Sequence, residues 1–150
     1  MAGLVDSAAR AVLDHLFTEP AYVPPDTYYV ALSTTAPSAN GANFTEPTGG
    51  GYVRLATTAA DWSPAAGSAP SQKTNTVGFV WPTATADWAG GTNLVAFGLF
   101  DAAAAGGLVI TGPLDTAKAV LSGDTPMCNP GKLVVKLGDP TDPFGLSAAG

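Results

Sequence analysis

Few side chains in this sequence could do covalent or acid–base chemistry. The chain has one histidine, His15, and one cysteine, Cys128. Nucleophilic catalysis needs a base within reach of the nucleophile, but His15 follows Asp14 in an amphipathic segment, a pattern typical of a helix surface. A zinc site needs more ligands than one His and one Cys supply, and no phosphate-binding or dinucleotide-binding glycine motif is present. The sequence therefore predicts a protein that is not an enzyme and has no cofactor or metal.

Carboxylates are the remaining candidates for catalysis or cation binding. The loops contain aspartates at five separate places, namely Asp61, Asp87, Asp101, Asp139 and Asp142. Nothing in their spacing sets two of them at the separation that glycoside hydrolysis requires. Asp139 and Asp142 alternate with prolines in a pattern that could contribute oxygen ligands to calcium, although a solvated turn is the favoured interpretation.

Three tryptophans, Trp62, Trp81 and Trp88, lie at predicted loop or strand ends. Aromatic side chains in such places stack on sugars or fill a protein interface, and the alternative is that they close the open ends of a β-sandwich. We take Trp62 and Trp88 as candidate partner contacts.

The charge pattern excludes two classes of partner. Six Lys and Arg against twelve Asp and Glu give a net charge of −6, and the cations are scattered along the chain. A phosphate backbone or an anionic membrane needs clustered positive charge, so we expect neither nucleic-acid nor membrane binding. We also expect no signal peptide and no membrane span. Charged residues make up only 12% of the chain, and such a weakly charged exterior favours contacts with other proteins.

One helix is predicted, over residues 3–17. Leu4, Val5, Ala8, Val12 and Leu16 recur at spacings of three and four, which places them on one stripe. Prolines follow closely and prevent its continuation. A single short amphipathic helix is marginal alone, so it must dock on its own sheet or on a neighbour. Leu4 and Val5 are therefore candidate interface residues.

The rest of the chain predicts an antiparallel β fold organised around a central hairpin. Leu94 to Phe100 is a nearly unbroken apolar run, Leu108 to Leu114 is its expected partner, and Gly106-Gly107 lies in the turn. With the other short strand patterns, this predicts a mainly β fold. We expect a β-sandwich or jelly-roll-like barrel of seven or eight strands in one domain over residues 1–137. Residues 138–150 are predicted to form an extended arm with Phe144 and Leu146 as partner contacts.

Six sequence segments appear in an order that resembles a family of small bacteriophage virion proteins, variously described as minor capsid, decoration or tail-fibre proteins. The resemblance spans about residues 4 to 137. Its segments are VLDHLF at 12–17, YYVALSTTAP at 28–37, GGGYVR at 49–54, NTVGFVWPTATADW at 75–88, GLFDAAAAGG at 98–107, and GDT at 123–125 followed by KLVVKL at 132–137.

The resemblance implies a non-enzymatic virion component assembled in the host cytoplasm. The leading hypothesis is a capsid decoration protein on the capsid surface that binds the major capsid protein, self-associates as a homotrimer and stabilises the shell. The alternative is a tail-fibre or tail-tip component that contacts the host surface through Trp62, Trp88 and the loop at 34–51. A third hypothesis, from another class, is a free carbohydrate-binding or hydrolytic domain.

Overall fold

The computed structural model of the chain describes residues 2–17, 22–67 and 71–137. Within these ranges it has one α-helix, α1 (Asp6–Leu16), and nine β-strands. The strands are β1 (Gly3–Leu4), β2 (Thr27–Ser33), β3 (Leu55–Thr58), β4 (Ser71–Thr74), β5 (Phe79–Val80), β6 (Leu94–Phe100), β7 (Leu108–Lys118), β8 (Met127–Cys128) and β9 (Val134–Leu137). The predicted mainly β fold with an N-terminal helix is confirmed. The predicted arm at 138–150 lies outside the described residues.

All strand pairs are antiparallel. Five strands form one sheet in the order β1-β7-β6-β2-β3, and two further pairs, β4–β9 and β5–β8, form small sheets. The backbone N–H of Lys136 in β9 donates to the carbonyl of Ala2 at 3.1 Å, which links a small sheet to the β1 edge. One core cluster contains Phe97 of the five-stranded sheet, Phe79 of the β5–β8 pair and Leu133 just before β9, and half-buried Val135 of β9 packs against it.

The predicted central hairpin is confirmed as β6 and β7. Six of the seven residues of β6 are buried, which explains the unbroken apolar run. Gly98 lies at its centre because a Cβ there would come within 2.5 Å of the Leu108 side chain and 2.7 Å of the Phe44 ring. In the turn, Gly106 has a φ of +73°, a conformation that favours glycine.

The helix begins later than predicted. Leu4 pairs with Ile110 of β7, and the backbone N–H of Val5 donates to the carbonyl of Val109 at 2.9 Å. Sheet pairing therefore holds residues 3 and 4 in an extended conformation, and the predicted boundary at residue 3 is wrong. The apolar spacing continued into the strand because both elements bury the same side of the chain.

The number of strands also differs from the predicted seven or eight. Asn75 interrupts the extended segment at 71–80 and separates β4 from β5. Asn75 is buried, and its side-chain amide donates to the carbonyls of Val77 and Asn129 and accepts from the N–H of Leu133, at 2.7 to 3.0 Å. These bonds to backbone groups replace the ladder bonds of a continuous strand.

Candidate functional site

The side chains that could do chemistry lie apart in the structure. His15 is exposed at the end of α1, where its Nδ1 accepts the backbone N–H of Tyr22 at 3.2 Å. Cys128 is half-buried in β8, and burial raises the pKa of its thiol, which keeps it protonated at neutral pH. Across residues 2–17, 22–67 and 71–137, no group of three His, Cys, Asp or Glu could hold a metal ion. No helix in these ranges is long and apolar enough to span a membrane.

Three of the loop aspartates bind backbone N–H groups of turns. The carboxylate of Asp61 accepts from Thr58 at 2.7 Å, that of Asp101 from Gly107 at 2.7 Å, and that of Asp87 from Ser122 at 2.9 Å. The carboxylates of Asp61 and Asp101 therefore close local turns, and that of Asp87 joins two segments that are distant in the sequence. Asp139 and Asp142, the calcium candidates, lie outside the described residues.

Two of the six predicted interface residues are buried inside the fold. Trp88 is fully buried, its Nε1 donates to the carbonyl of Gly50 at 3.1 Å, and its ring packs edge-on against Tyr52. Val5 is buried beside β7. Both side chains are covered by other residues of the fold, so neither can contact a partner.

The other two predicted interface residues that the structure describes, Leu4 and Trp62, do not lie on a common surface. Leu4 is half-buried in β1, and half-buried Trp62 donates from Nε1 to Thr57 Oγ1 at 2.9 Å just after β3. β1 and β3 form opposite edges of the five-stranded sheet, so Leu4 and Trp62 lie at opposite sides. A partner contact at either residue stays a prediction. Phe144 and Leu146 lie outside the described residues.

A polar cluster that the sequence analysis missed joins two long loops. We call Glu46, Tyr52, Arg54 and Phe100 the Arg54 cluster. The Arg54 guanidinium forms an ion pair with Glu46 at 2.7 Å, and its centre lies 3.7 Å from the centroid of the Phe100 ring. Its Nη1 also donates to the carbonyls of residues 102 and 105, at 2.7 Å each. One side chain therefore holds the loop before β3 against the β6–β7 turn.

The hydrogen bonds of this cluster are complete. Tyr52 Oη donates to Glu46 at 2.8 Å and accepts the backbone N–H of Leu32 at 3.0 Å. Burial acts to raise the pKa of Glu46, but hydrogen bonds from Arg54 and Tyr52 and the charge of Arg54 outweigh it and leave the pKa below its ordinary value. Burial raises the pKa of Tyr52. The sequence did contain a signal, since Glu46 and Arg54 are the only charged residues between 27 and 60.

The predicted long loop at 34–51 has regular internal hydrogen bonds. The backbone N–H of Thr34 donates to Thr45, and that of Ser38 donates to Ala42, both at 2.9 Å. Gly50 lies against Trp88 with a φ of +59°, where a Cβ would collide with the indole ring. The later part of the loop is therefore held at Glu46 by the Arg54 cluster and at Gly50 by Trp88, and the loop exposes small uncharged side chains.

A groove opens between β7 and the β5–β8 pair, with a volume of about 520 Å³. Its floor consists of buried side chains, and its rim consists of exposed side chains that are mostly polar, together with the apolar Pro113 and Met127. The floor is Val30, Leu32, Trp81, Leu94, Phe97 and Leu133, and the polar rim residues include Asp115, Thr116, Lys118, Asp124, Thr125 and Lys132. Trp81 Nε1 is the one buried side-chain nitrogen or oxygen without a hydrogen-bond partner in the described part of the chain.

The end of α1 exposes large apolar side chains. Leu13, Leu16 and Phe17 are 55%, 67% and 76% exposed, whereas Ala8 in the first half of the helix is buried. We call Leu13, Leu16 and Phe17 the helix tip. The predicted apolar stripe is thus buried by the sheet near its start and uncovered near its end.

The described residues thus form a β domain with one buried polar cluster, an apolar groove and an apolar helix tip. The chain belongs to the family described as podophage GP4 fiber I protein gp80, whose sequence profile matches residues 3–136. The predicted resemblance to phage virion proteins is confirmed, and the chain is a structural protein of the virion. No curated protein matches the chain.

Proposed function

We propose that this chain is a component of the tail fibre, which carries the loop at 34–51 on a surface that faces the host. The observation that supports this location is the family description, which names a fibre protein and matches residues 3–136. This was the alternative hypothesis from the sequence, and the family match favours it over capsid decoration.

The loop has the properties of a preformed contact surface. Its exposed side chains are uncharged and include Ser38, Asn40, Thr45 and Thr48. Hydroxyl and amide groups donate and accept hydrogen bonds without a net charge, which suits a neutral partner at the cell surface. The Arg54 cluster and Trp88 hold the loop before any contact, so binding has little conformational entropy to overcome.

Location in the virion is the direct test. Antibodies against the purified chain, labelled with gold, are applied to intact virions and imaged by electron microscopy. We expect label on the fibres at the tail. Label spread over the capsid would overturn the fibre proposal in favour of capsid decoration.

Capsid decoration, with the major capsid protein as partner, stays a prediction with its own assay. Purified chain is mixed with expanded and with unexpanded empty shells, and bound protein is measured after sedimentation. The fibre proposal expects no binding to either form. Saturable binding to one form would contradict it.

The loop's role is tested by a single charge on its exposed face. Thr48→Lys is expected to reduce competition between the purified chain and virions for host cells at least tenfold. Thr76→Lys, a matched change at an exposed threonine outside the loop, is expected to compete like the unmodified chain. Equal competition by both variants would exclude the loop as the contact surface.

A further inference from the structure

The helix tip and the groove are two unfilled halves of an apolar contact on one molecule. The tip presents three large side chains that are more than half exposed, Leu13, Leu16 and Phe17. Exposed apolar clusters of this kind mark sites of protein contact. The groove has a buried apolar floor that includes Leu94 and Phe97 and remains open to the outside.

The groove is large enough for the tip. Its volume of about 520 Å³ lies within the range of roughly 300 to 1,000 Å³ that holds drug-sized ligands. Such ligands are larger than a leucine and a phenylalanine side chain together. The tip therefore fits with room for the last turn of helix to approach the rim.

The tip of a molecule lies outside its own groove. None of the described residues that line the groove comes from α1, and the tip is exposed while the helix start is held on β1 and β7. A second copy of the chain offers both a groove for the first copy's tip and a tip for the first copy's groove. The first copy's tip then fills the second copy's groove, which leaves one groove and one tip for further copies.

The charges around the two surfaces are complementary. The last turn of a helix carries partial negative charge on its free carbonyls, and Asp14 adds a full negative charge there. The groove rim carries Lys118 and Lys132, both exposed. The rim also carries Asp115 and Asp124, so the complementarity rests on its two lysines, which favour the negative end of the helix.

We propose that copies of this chain associate head to tail, with the helix tip of one copy in the groove of the next. A contact of this type joins two different patches, so it closes into a ring if the rotation allows and otherwise continues as a filament. The homotrimer predicted from the sequence is a ring in which every tip and every groove is filled. One tip in one groove buries less surface than the roughly 1,200 to 2,000 Å² that stable complexes bury. Ring closure gives each copy two such contacts and thereby stabilises the assembly. The inference holds for a fibre or a capsid location alike, since it uses only the surfaces of this chain.

Two variants remove one half of the contact each. Leu16→Lys with Phe17→Lys replaces the tip by cations, which suit the end of a helix but repel Lys118 and Lys132. Thr116→Arg fills the groove from its exposed rim without touching the core. Val53→Lys is the matched control, because Val53 is an exposed apolar residue that belongs to neither surface. Circular dichroism and thermal melting check that each variant is folded.

Mass measurement by light scattering after size-exclusion chromatography is the readout. We expect the unmodified chain and the control to form an oligomer that is a multiple of 14.9 kDa, and both surface variants to run as monomers. An equimolar mixture of the two surface variants contains one intact tip and one intact groove per pair and cannot close a ring, so at high concentration it is expected to form weak dimers and nothing larger.

Three results would overturn the proposal. A monomeric unmodified chain at all accessible concentrations would show that copies do not associate. Oligomers in either surface variant, or a mixture of folded variants that forms no dimer even at the highest accessible concentration, would show that tip and groove do not bind each other. Association that appears only after residues 138–150 are deleted would show that the chain's own end fills the groove.

Discussion

The Arg54 cluster and the groove both join segments that are distant in the sequence, but they do so by opposite means. Arg54 connects the loop before β3 to the β6–β7 turn through an ion pair and four further hydrogen bonds, and its partners are satisfied. The groove lies between β7 and the β5–β8 pair with an apolar floor and no described side chain filling it. One region is complete within the molecule, whereas the other leaves apolar surface uncovered.

The difference separates internal scaffolding from surface available for assembly. Buried polar groups need partners within the fold, because an unpaired one costs about 1 to 3 kcal/mol. An open apolar surface has no such requirement and gains stability whenever another protein covers it. Substitutions in the Arg54 cluster should therefore act on the free energy of unfolding, and substitutions at the groove rim or helix tip should act on association.

The largest expected effect is at the junction between the two regions, in strand β6. Phe100→Ala should reduce the free energy of unfolding by about 3 to 5 kcal/mol, because the buried ring leaves a cavity and Arg54 loses the face on which it lies. Urea denaturation monitored by circular dichroism measures this. An unchanged midpoint would contradict the burial of this ring.

Arg54→Met should cost about 3 kcal/mol of folding free energy. This cost lies at the low end of the range expected when one partner of a buried ion pair is removed, because Glu46 keeps 27% of its side-chain surface exposed to water. The same urea titration measures the loss. Arg10→Met, on the exposed side of α1, is the matched control and should change stability by less than about 0.5 kcal/mol. Equal effects of the two substitutions would mean that the cluster does not hold the loops.

Acid should weaken the Arg54 cluster through Glu46. The pKa of this carboxyl is lower in the folded chain than its ordinary value of 4.5. Its contribution to stability is therefore complete above about pH 4.5 and is lost as the pH falls through the lowered pKa. Urea midpoints should fall more steeply below that pH for the unmodified chain than for Glu46→Gln. Parallel pH profiles would argue against a stabilising ion pair.

The smallest effect on folding is expected from deletion of residues 138–150. The sequence of this segment offers little to bury, so the free energy of unfolding should change by less than about 0.5 kcal/mol. Association should weaken, because Phe144 and Leu146 are predicted partner contacts. Melting temperature and oligomer mass of the truncated chain measure both. A large drop in melting temperature would place the segment within the folding unit.

Much of the fold could be predicted from periodicity. The apolar run at 94–100 and its partner after Gly107 predicted the central hairpin, since a strand covered on both faces has no polar alternation. The helix boundary and the split at Asn75 could not be predicted, because both depend on bonds to residues far along the chain. Leu4 pairs with Ile110, and Asn75 binds Asn129 and Leu133.

The candidate surfaces were predicted less well. Trp88 was an interface candidate by its type and its place at a loop, yet contacts with Gly50 and Tyr52 bury it. The helix stripe predicted a docking surface, but the structure showed which half of it the sheet covers. The groove had no sequence signal, because its floor joins residues from β2, β6 and the segments around β5 and β9.

The sequence by itself determined the class of this protein. Its short strands and the order of its segments were sufficient to predict a mainly β protein of the phage virion. Only the tertiary structure decided which aromatic and apolar side chains are inside, that Glu46 and Arg54 meet, and that a groove remains open. Local periodicity depends on neighbouring residues, whereas burial and pairing depend on which segments the fold brings together, such as Leu4 with Ile110 and Gly50 with Trp88, and a linear pattern does not encode this.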